Sequence, residues 1–264
     1  MKINSYHTVK SLEEASNLLD ANKQNAIVAG GAWMRLSSKE IETAIDLSGL
    51  GLDQIVETED AYEIGAMATL RQVEKQAGIK KHYDGALSNA LSHMMGVPIR
   101  NLATIGGSII GKYSFSDIIT PLLVMNVELE FYKKGRISLE EFLASRDRSK
   151  DVLVKVIIKK EEAKGYFKKM QKTGLDFAVV NVAISKKDGL IKIAVGARPS
   201  LAKFADEAME FINGKKVITE EVILETAEIA GKELKFGNNS KASEEYRRNI
   251  AIAYIKRGLR EVTK

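Results

Sequence analysis

Two glycine pairs, Gly30-Gly31 and Gly106-Gly107, constrain this 264-residue chain more than any other feature. The first closes the apolar run Ala26-Ile27-Val28-Ala29, which reads as a short buried strand entering a tight loop, Ala29-Gly30-Gly31-Ala32-Trp33. The second lies in Thr104-Ile105-Gly106-Gly107-Ser108. A glycine pair removes the side chains that keep a ligand away from the backbone. It also permits positive φ, so that successive N–H groups turn toward one anion. Two such loops facing each other can cradle a pyrophosphate without lysine or metal. The competing reading is a pair of tight turns in a β-rich protein, and the glycines alone leave both open.

Two familiar phosphate motifs fail. The dinucleotide fingerprint G-x-G-x-x-G is absent from both loops. The run Gly106-Gly107-Ser108-Ile109-Ile110-Gly111-Lys112 imitates a P-loop, but Tyr113 stands where Ser or Thr must hold Mg²⁺. The glycines are also followed by Ile109-Ile110, an apolar pair in place of a phosphate-facing helix start.

Other chemistry is similarly bare. The chain has no cysteine, which excludes disulfides, thiol nucleophiles and iron–sulfur clusters ligated by its own thiolates. The three histidines, His7, His82 and His93, share no metal-site spacing, so no metal ligand is expected. No G-x-S-x-G and no carboxylate pair marks a catalytic centre, and no catalytic residue is nominated. A net charge of +5 comes from 40 basic and 35 acidic residues interspersed along the chain. Pairs such as Lys159-Lys160, Lys168-Lys169 and Arg247-Arg248 lack the aromatic interleaving of nucleic-acid binders. No apolar run approaches the ~20 residues of a membrane span. MKINSYHTVK has no signal-peptide core, so a cytoplasmic location is expected.

Ser11 with Glu14 forms a capping box for a helix running to about Asn22. Strands are expected at 26–29, 44–47, 61–64, 127–132 and 151–158. Helices are expected after Thr69, over 84–95, over 116–124 and after Ser138, with Gly96-Val97-Pro98 as a stop. Helix and strand mix without regular βαβ repetition, so the class is α+β. The charged patch Lys159–Gly165 marks a boundary, giving domains at 1–160 and 161–264. The second domain reads as three antiparallel strands, at 165–172, 177–186 and 190–197, followed by helices near 205–212, 220–231 and 244–262.

At this point the residues resemble a known family, the FAD-binding (medium) subunits of the xanthine dehydrogenase and carbon monoxide dehydrogenase molybdenum hydroxylases. The resemblance rests on Ala29-Gly30-Gly31, Ala44-Ile45-Asp46-Leu47, Ile64–Thr69, and Val97-Pro98-Ile99-Arg100-Asn101-Leu102-Ala103-Thr104-Ile105-Gly106-Gly107-Ser108. Asp117–Leu123 and Ala242-Ser243-Glu244-Glu245-Tyr246-Arg247-Arg248 continue it, in family order and over nearly the whole chain.

The resemblance implies a two-lobed FAD domain of the vanillyl-alcohol-oxidase-like (PCMH) type, with lobes at about 1–52 and 53–160. A smaller α+β domain of the CO dehydrogenase flavoprotein type would follow. It implies that Ala29, Gly30, Gly31, Ala32, Trp33, Thr104, Ile105, Gly106, Gly107 and Ser108 line the FAD diphosphate. It also places Asp117, Leu153 and Lys168 near the cofactor. The chain departs from the family at Ala32-Trp33, where side chains able to hydrogen-bond are common; backbone contacts survive that change. The implied function is electron transfer within a heterotrimer, single or dimerised. A partner [2Fe–2S] subunit and a molybdopterin subunit feed FAD, which passes electrons to NAD⁺ or another acceptor. Two rival readings are a free-standing flavin oxidoreductase and a non-catalytic assembly or nucleotide-binding module that has lost FAD.

Overall fold

The computed structural model describes residues 1–147 and 149–264. In chain order it begins with β1 (Lys2–Thr8), α1 (Leu12–Ala21), β2 (Ala26–Ile27), β3 (Glu40–Asp46), β4 (Ile55–Glu57) and β5 (Ala61–Gly65). Then come α2 (Leu70–Lys75), α3 (Ala86–Ser92), α4 (Val97–Leu102), α5 (Ile105–Ile110), α6 (Ile119–Val124), β6 (Val127–Phe131), β7 (Gly135–Ser138), α7 (Leu139–Ala144) and β8 (Leu153–Lys159). The remainder is β9 (Lys164–Met170), β10 (Val180–Lys187), β11 (Leu190–Gly196), β12 (Lys203–Phe204), α8 (Asp206–Asn213), α9 (Glu220–Glu233) and α10 (Glu244–Thr263).

These elements form two compact units that interleave in sequence. One comprises Met1–Val73, Gly96–Gly111 and Val127–Lys159; the other comprises Glu74–Met95, Lys112–Asn126 and Lys160–Lys264.

The first unit carries two sheets. A parallel three-stranded sheet has the order β1-β3-β2, with α1 returning the chain from β1 to β2. The Ser11 hydroxyl accepts from Glu14 N, the expected cap. Ala15 and Leu19 of α1 are buried with Ile45 and Leu47 of the β3 end. Burying a side chain the size of Leu19, Ile45 or Leu47 stabilises the unit by roughly 1.5–3 kcal/mol. Strand β1 has no counterpart among the expected strands, because all seven of its residues are exposed and no apolar alternation announces it. Its backbone register with β3 and side-chain bonds such as Tyr6 Oη to Asp46 Oδ2 (2.7 Å) hold it. The second sheet is antiparallel, in the order β4-β5-β8-β6-β7.

The second unit is built on an antiparallel sheet of order β12-β11-β10-β9. Its three long strands match the expected ones, and the two-residue β12 adds a fourth at the edge. Val180, Val182 and Ile184 of β10 and Ile193 and Val195 of β11 are buried with Ala227, Ala230, Ala251, Ile255 and Leu259 of the last two helices.

The helix expected over 84–95 is shorter, because Tyr83, Asp84 and Gly85 all take left-handed φ, at 49°, 50° and 75°. The carboxylate of Glu161, inside the charged patch, anchors this turn by accepting from the Tyr83 hydroxyl. It also accepts from Asn126 Nδ2 (2.9 Å) and Lys187 Nζ (2.7 Å). Burial pushes the Glu161 carboxyl up, but the bonds from Lys187, Tyr83 and Asn126 outweigh it and hold the group below the usual glutamate range. A lowered folded-state value means that the stabilisation is complete above the unfolded pKa of about 4.3 and disappears as pH falls through the folded value. Thermal melts are therefore expected to lose more stability on acidification for the wild type than for Glu161→Gln. Parallel acid profiles would rule out this anchor.

Candidate functional site

Within the first unit, the two glycine loops come together. Strand β2 is extended by Val28 N donating to the Ile45 carbonyl (2.9 Å), and the chain then enters Ala29–Trp33. Gly31 has φ of +62°, and a Cβ placed on it would meet nothing within 4 Å. Gly30 is different. A Cβ there would collide with the backbone carbonyl of Leu102, two residues before Thr104. The first loop is thus packed directly against the chain that leads into the second.

The second loop opens a helix. Thr104 is the N-cap of α5, and its Oγ1 accepts from Gly107 N (3.1 Å). No helix starts after the pair, as expected; instead the helix begins before it and includes both glycines, residues of low helix propensity that conceal it in sequence. Ile105 N donates to the Ala68 carbonyl and Gly106 N to the Ala66 carbonyl, both at 2.9 Å. A Cβ on Gly106 would lie 2.6 Å from the Ala66 oxygen. Gly107 is exposed, and a Cβ there would meet only Thr104 Oγ1, at 3.0 Å. Ser108 is buried and bonds back to the Thr104 carbonyl through Oγ (2.8 Å).

The two pairs divide the work in the same way. The first glycine of each lets backbone pack on backbone; of the second, Gly31 faces open space and Gly107 meets only the Thr104 hydroxyl. The amides differ between loops. Those of Ile105, Gly106, Gly107 and Ser108 are all engaged, whereas those of Gly30, Gly31 and Ala32 have no hydrogen-bond partner among the described residues. Successive free amides beside a positive-φ residue form a concavity of the kind that receives an anion. The Ala32 methyl is buried at 4% exposure, so this position offers its backbone and not its side chain. Leu153 opens β8 and is buried; its neighbour Val154 accepts from Ala66 N (2.9 Å), which ties that strand to the second loop.

Asp117 and Lys168 belong to the second unit. Asp117 is buried, and Oδ2 accepts from Lys169 Nζ at 2.8 Å, the two side chains being 4% and 3% exposed. Its Oδ1 accepts from Asn181 Nδ2 (3.1 Å), while Asn181 Oδ1 accepts from the Thr120 hydroxyl (2.7 Å). Burial pushes the Asp117 carboxyl up against the opposing pull of Lys169, Asn181 and His93. Lys168, one residue away on β9, is exposed, as the alternation of a strand requires. Sequence reading missed Lys169 and Asn181. The available signal was Asn181, a polar residue within the apolar run Phe177–Ile184. Among the described residues no group of acidic or histidine side chains is arranged to hold a metal ion, and no helix is long and apolar enough to cross a membrane.

Residues 1–160 match the family of the FAD binding domain in molybdopterin dehydrogenase, and residues 165–262 match the CO dehydrogenase flavoprotein C-terminal domain. The nicotine 6-hydroxylase medium subunit of Paenarthrobacter nicotinovorans is 27% identical over 277 aligned positions, covering 97% of this chain and 96% of that relative. The xanthine dehydrogenase FAD-binding subunit of Escherichia coli O157:H7 is 32% identical over 134 positions, covering 48% of this chain and 46% of that one. The α+β fold is shared with a chain of carbon monoxide dehydrogenase from Hydrogenophaga pseudoflava, at a TM-score of 0.88 and 22% identity over 98% of this chain and 96% of that one.

Proposed function

We propose, from the premise that the chain belongs to the molybdopterin-dehydrogenase FAD-binding family, that it is the electron-transferring subunit of a heteromeric molybdenum hydroxylase. It is an oxidoreductase subunit, and FAD is its cofactor. In our reading the free amides of Gly30, Gly31 and Ala32 receive the diphosphate, and the bare Cα atoms of Gly31 and Gly107 let it approach. Gly30 and Gly106 hold the two loops in place, and Thr104 caps the helix that presents Gly107. The observation that carries this reading is the row of three unpartnered amides beside an open, left-handed glycine.

FAD supplies redox chemistry that accepts electrons singly and releases them in pairs. The chain's own residues then need only bind, orient and shield the cofactor, which agrees with the lack of a recognisable acid–base pair. Without cysteine the chain cannot ligate an iron–sulfur cluster through thiolates, so such clusters would reside on a partner. A partner [2Fe–2S] subunit would deliver electrons that a molybdopterin subunit extracts from substrate, with NAD⁺ as the acceptor. The relative named a medium subunit supports an assembly of this kind.

Purified chain is expected to be yellow, with a flavin absorbance spectrum and one FAD released on denaturation. Colourless protein that takes up no added FAD would overturn the diphosphate assignment. Co-expression with candidate iron–sulfur and molybdopterin subunits, followed by affinity capture, tests the assembly separately; NADH formation by the captured complex tests the acceptor.

A further inference from the structure

The two glycine loops hold almost no charge of their own. Between residues 26 and 38 and between residues 102 and 111, the single charged side chain is Arg35. A diphosphate bridge carries a negative charge on each phosphate, and amide dipoles answer only part of that field. From Ala29 to Met34 the one side-chain donor is the indole N–H of Trp33, which is uncharged. In the second loop the Ser108 hydroxyl is already engaged with the Thr104 carbonyl. Arg100, upstream of that loop, is 5% exposed and has a partner of its own.

Arg35 is held where it can complete the site. Its backbone N–H donates to the Gly31 carbonyl (3.1 Å), which sets it one turn beyond the open, left-handed glycine. That turn is the short 3₁₀ segment Met34–Leu36, and it is pinned at both ends. Leu36 N donates to the Trp33 carbonyl (3.0 Å). Ser37 donates to the Met34 carbonyl through both N (3.0 Å) and Oγ (2.7 Å). The backbone of Arg35 is thereby fixed close to the free amides, while its side chain is exposed and makes no hydrogen bond or ion pair with any described residue. An arginine stem is long enough to span one turn, and the guanidinium offers a planar fork that matches two phosphate oxygens at once.

We propose that Arg35 is the counter-charge of the FAD diphosphate, its guanidinium closing over the phosphate that the amides of Gly30, Gly31 and Ala32 receive. The assignment rests on the reading of those amides as the diphosphate site. It supplies, two positions further along, the side-chain contact that Ala32 and Trp33 do not make.

Trp33 is the one tryptophan of the chain, so quenching of its emission by bound flavin reports FAD uptake without any turnover. The test is titration of the flavin-free full chain with FAD at low and at high salt, in the wild type and in Arg35→Ala, Arg35→Lys and Arg35→Glu. At low salt Arg35→Ala should weaken binding about tenfold, the loss of one charge-assisted contact at an exposed position. Arg35→Lys should fall between Arg35→Ala and the wild type, because a point charge replaces the fork, and Arg35→Glu should bind most weakly. High salt should bring the wild type toward Arg35→Ala, since exposed charges are screened. Melting temperatures of the flavin-free forms should agree, because the side chain has no polar partner to lose.

Wild-type affinity in all three variants would make Arg35 a solvated surface residue and overturn its assignment, leaving the amide site standing. Equal losses in the lysine and glutamate variants, or losses that track a lowered melting temperature, would also overturn it. A wild type that takes up no FAD would overturn the amide site and the assignment together.

Discussion

Gly107→Val is expected to strip the protein of FAD while leaving it folded. Gly107 is exposed, and a Cβ at that position would meet only the Thr104 hydroxyl. The branched side chain would stand in the open space in front of the second loop, where we place the diphosphate. The cost to the fold is limited to shifting the Thr104 cap, about 1 kcal/mol. Gly106→Val and Gly30→Val should behave in the opposite way. A side chain on Gly106 meets the Ala66 backbone, and one on Gly30 meets the Leu102 carbonyl, so both variants should lower the melting temperature of the apoprotein itself. The comparison separates holding a cofactor from holding a loop. Flavin content measured after gel filtration, beside melting curves of the flavin-free forms, reads both. Stoichiometric FAD in Gly107→Val would remove the second loop from the cradle.

That contrast also marks how far the sequence was legible. The glycine pairs were visible because two adjacent residues without side chains are seldom indifferent to what approaches them. Which glycine of each pair packs and which stays open depends on Leu102 and Ala66, which lie far from Gly30 and Gly106 in the chain, and no local pattern encodes it. Strand β1 escaped notice because its residues face solvent on both sides, and pairing with β3 carries no apolar signature. The long strands and helices of the C-terminal half were readable because their apolar periodicity matches a single buried face. The Lys168-Lys169 pair shows the limit of such patterns. Strand parity says that only one lysine turns inward, and only the position of Asp117 and Asn181 decides which.

Lys169→Met should strongly destabilise the second unit. It leaves the Asp117 carboxylate buried with Asn181 as its one remaining side-chain partner, and removing one member of a buried pair costs about 3–5 kcal/mol. A buried ion pair is nevertheless weak as a source of net stability, because desolvation consumes most of the attraction. The double variant Lys169→Met with Asp117→Leu should therefore recover much of the loss in urea denaturation, because Asn181 keeps the Thr120 hydroxyl and the Ser116 carbonyl as partners. Additive losses in the double variant would show that the two residues do not act as a pair. The same protein resolves what Asp117 does. If its carboxylate touches FAD as the family resemblance implies, the refolded double variant will bind flavin more weakly than wild type. Wild-type FAD affinity in that variant would confine Asp117 to holding Lys169 and Asn181 against the sheet.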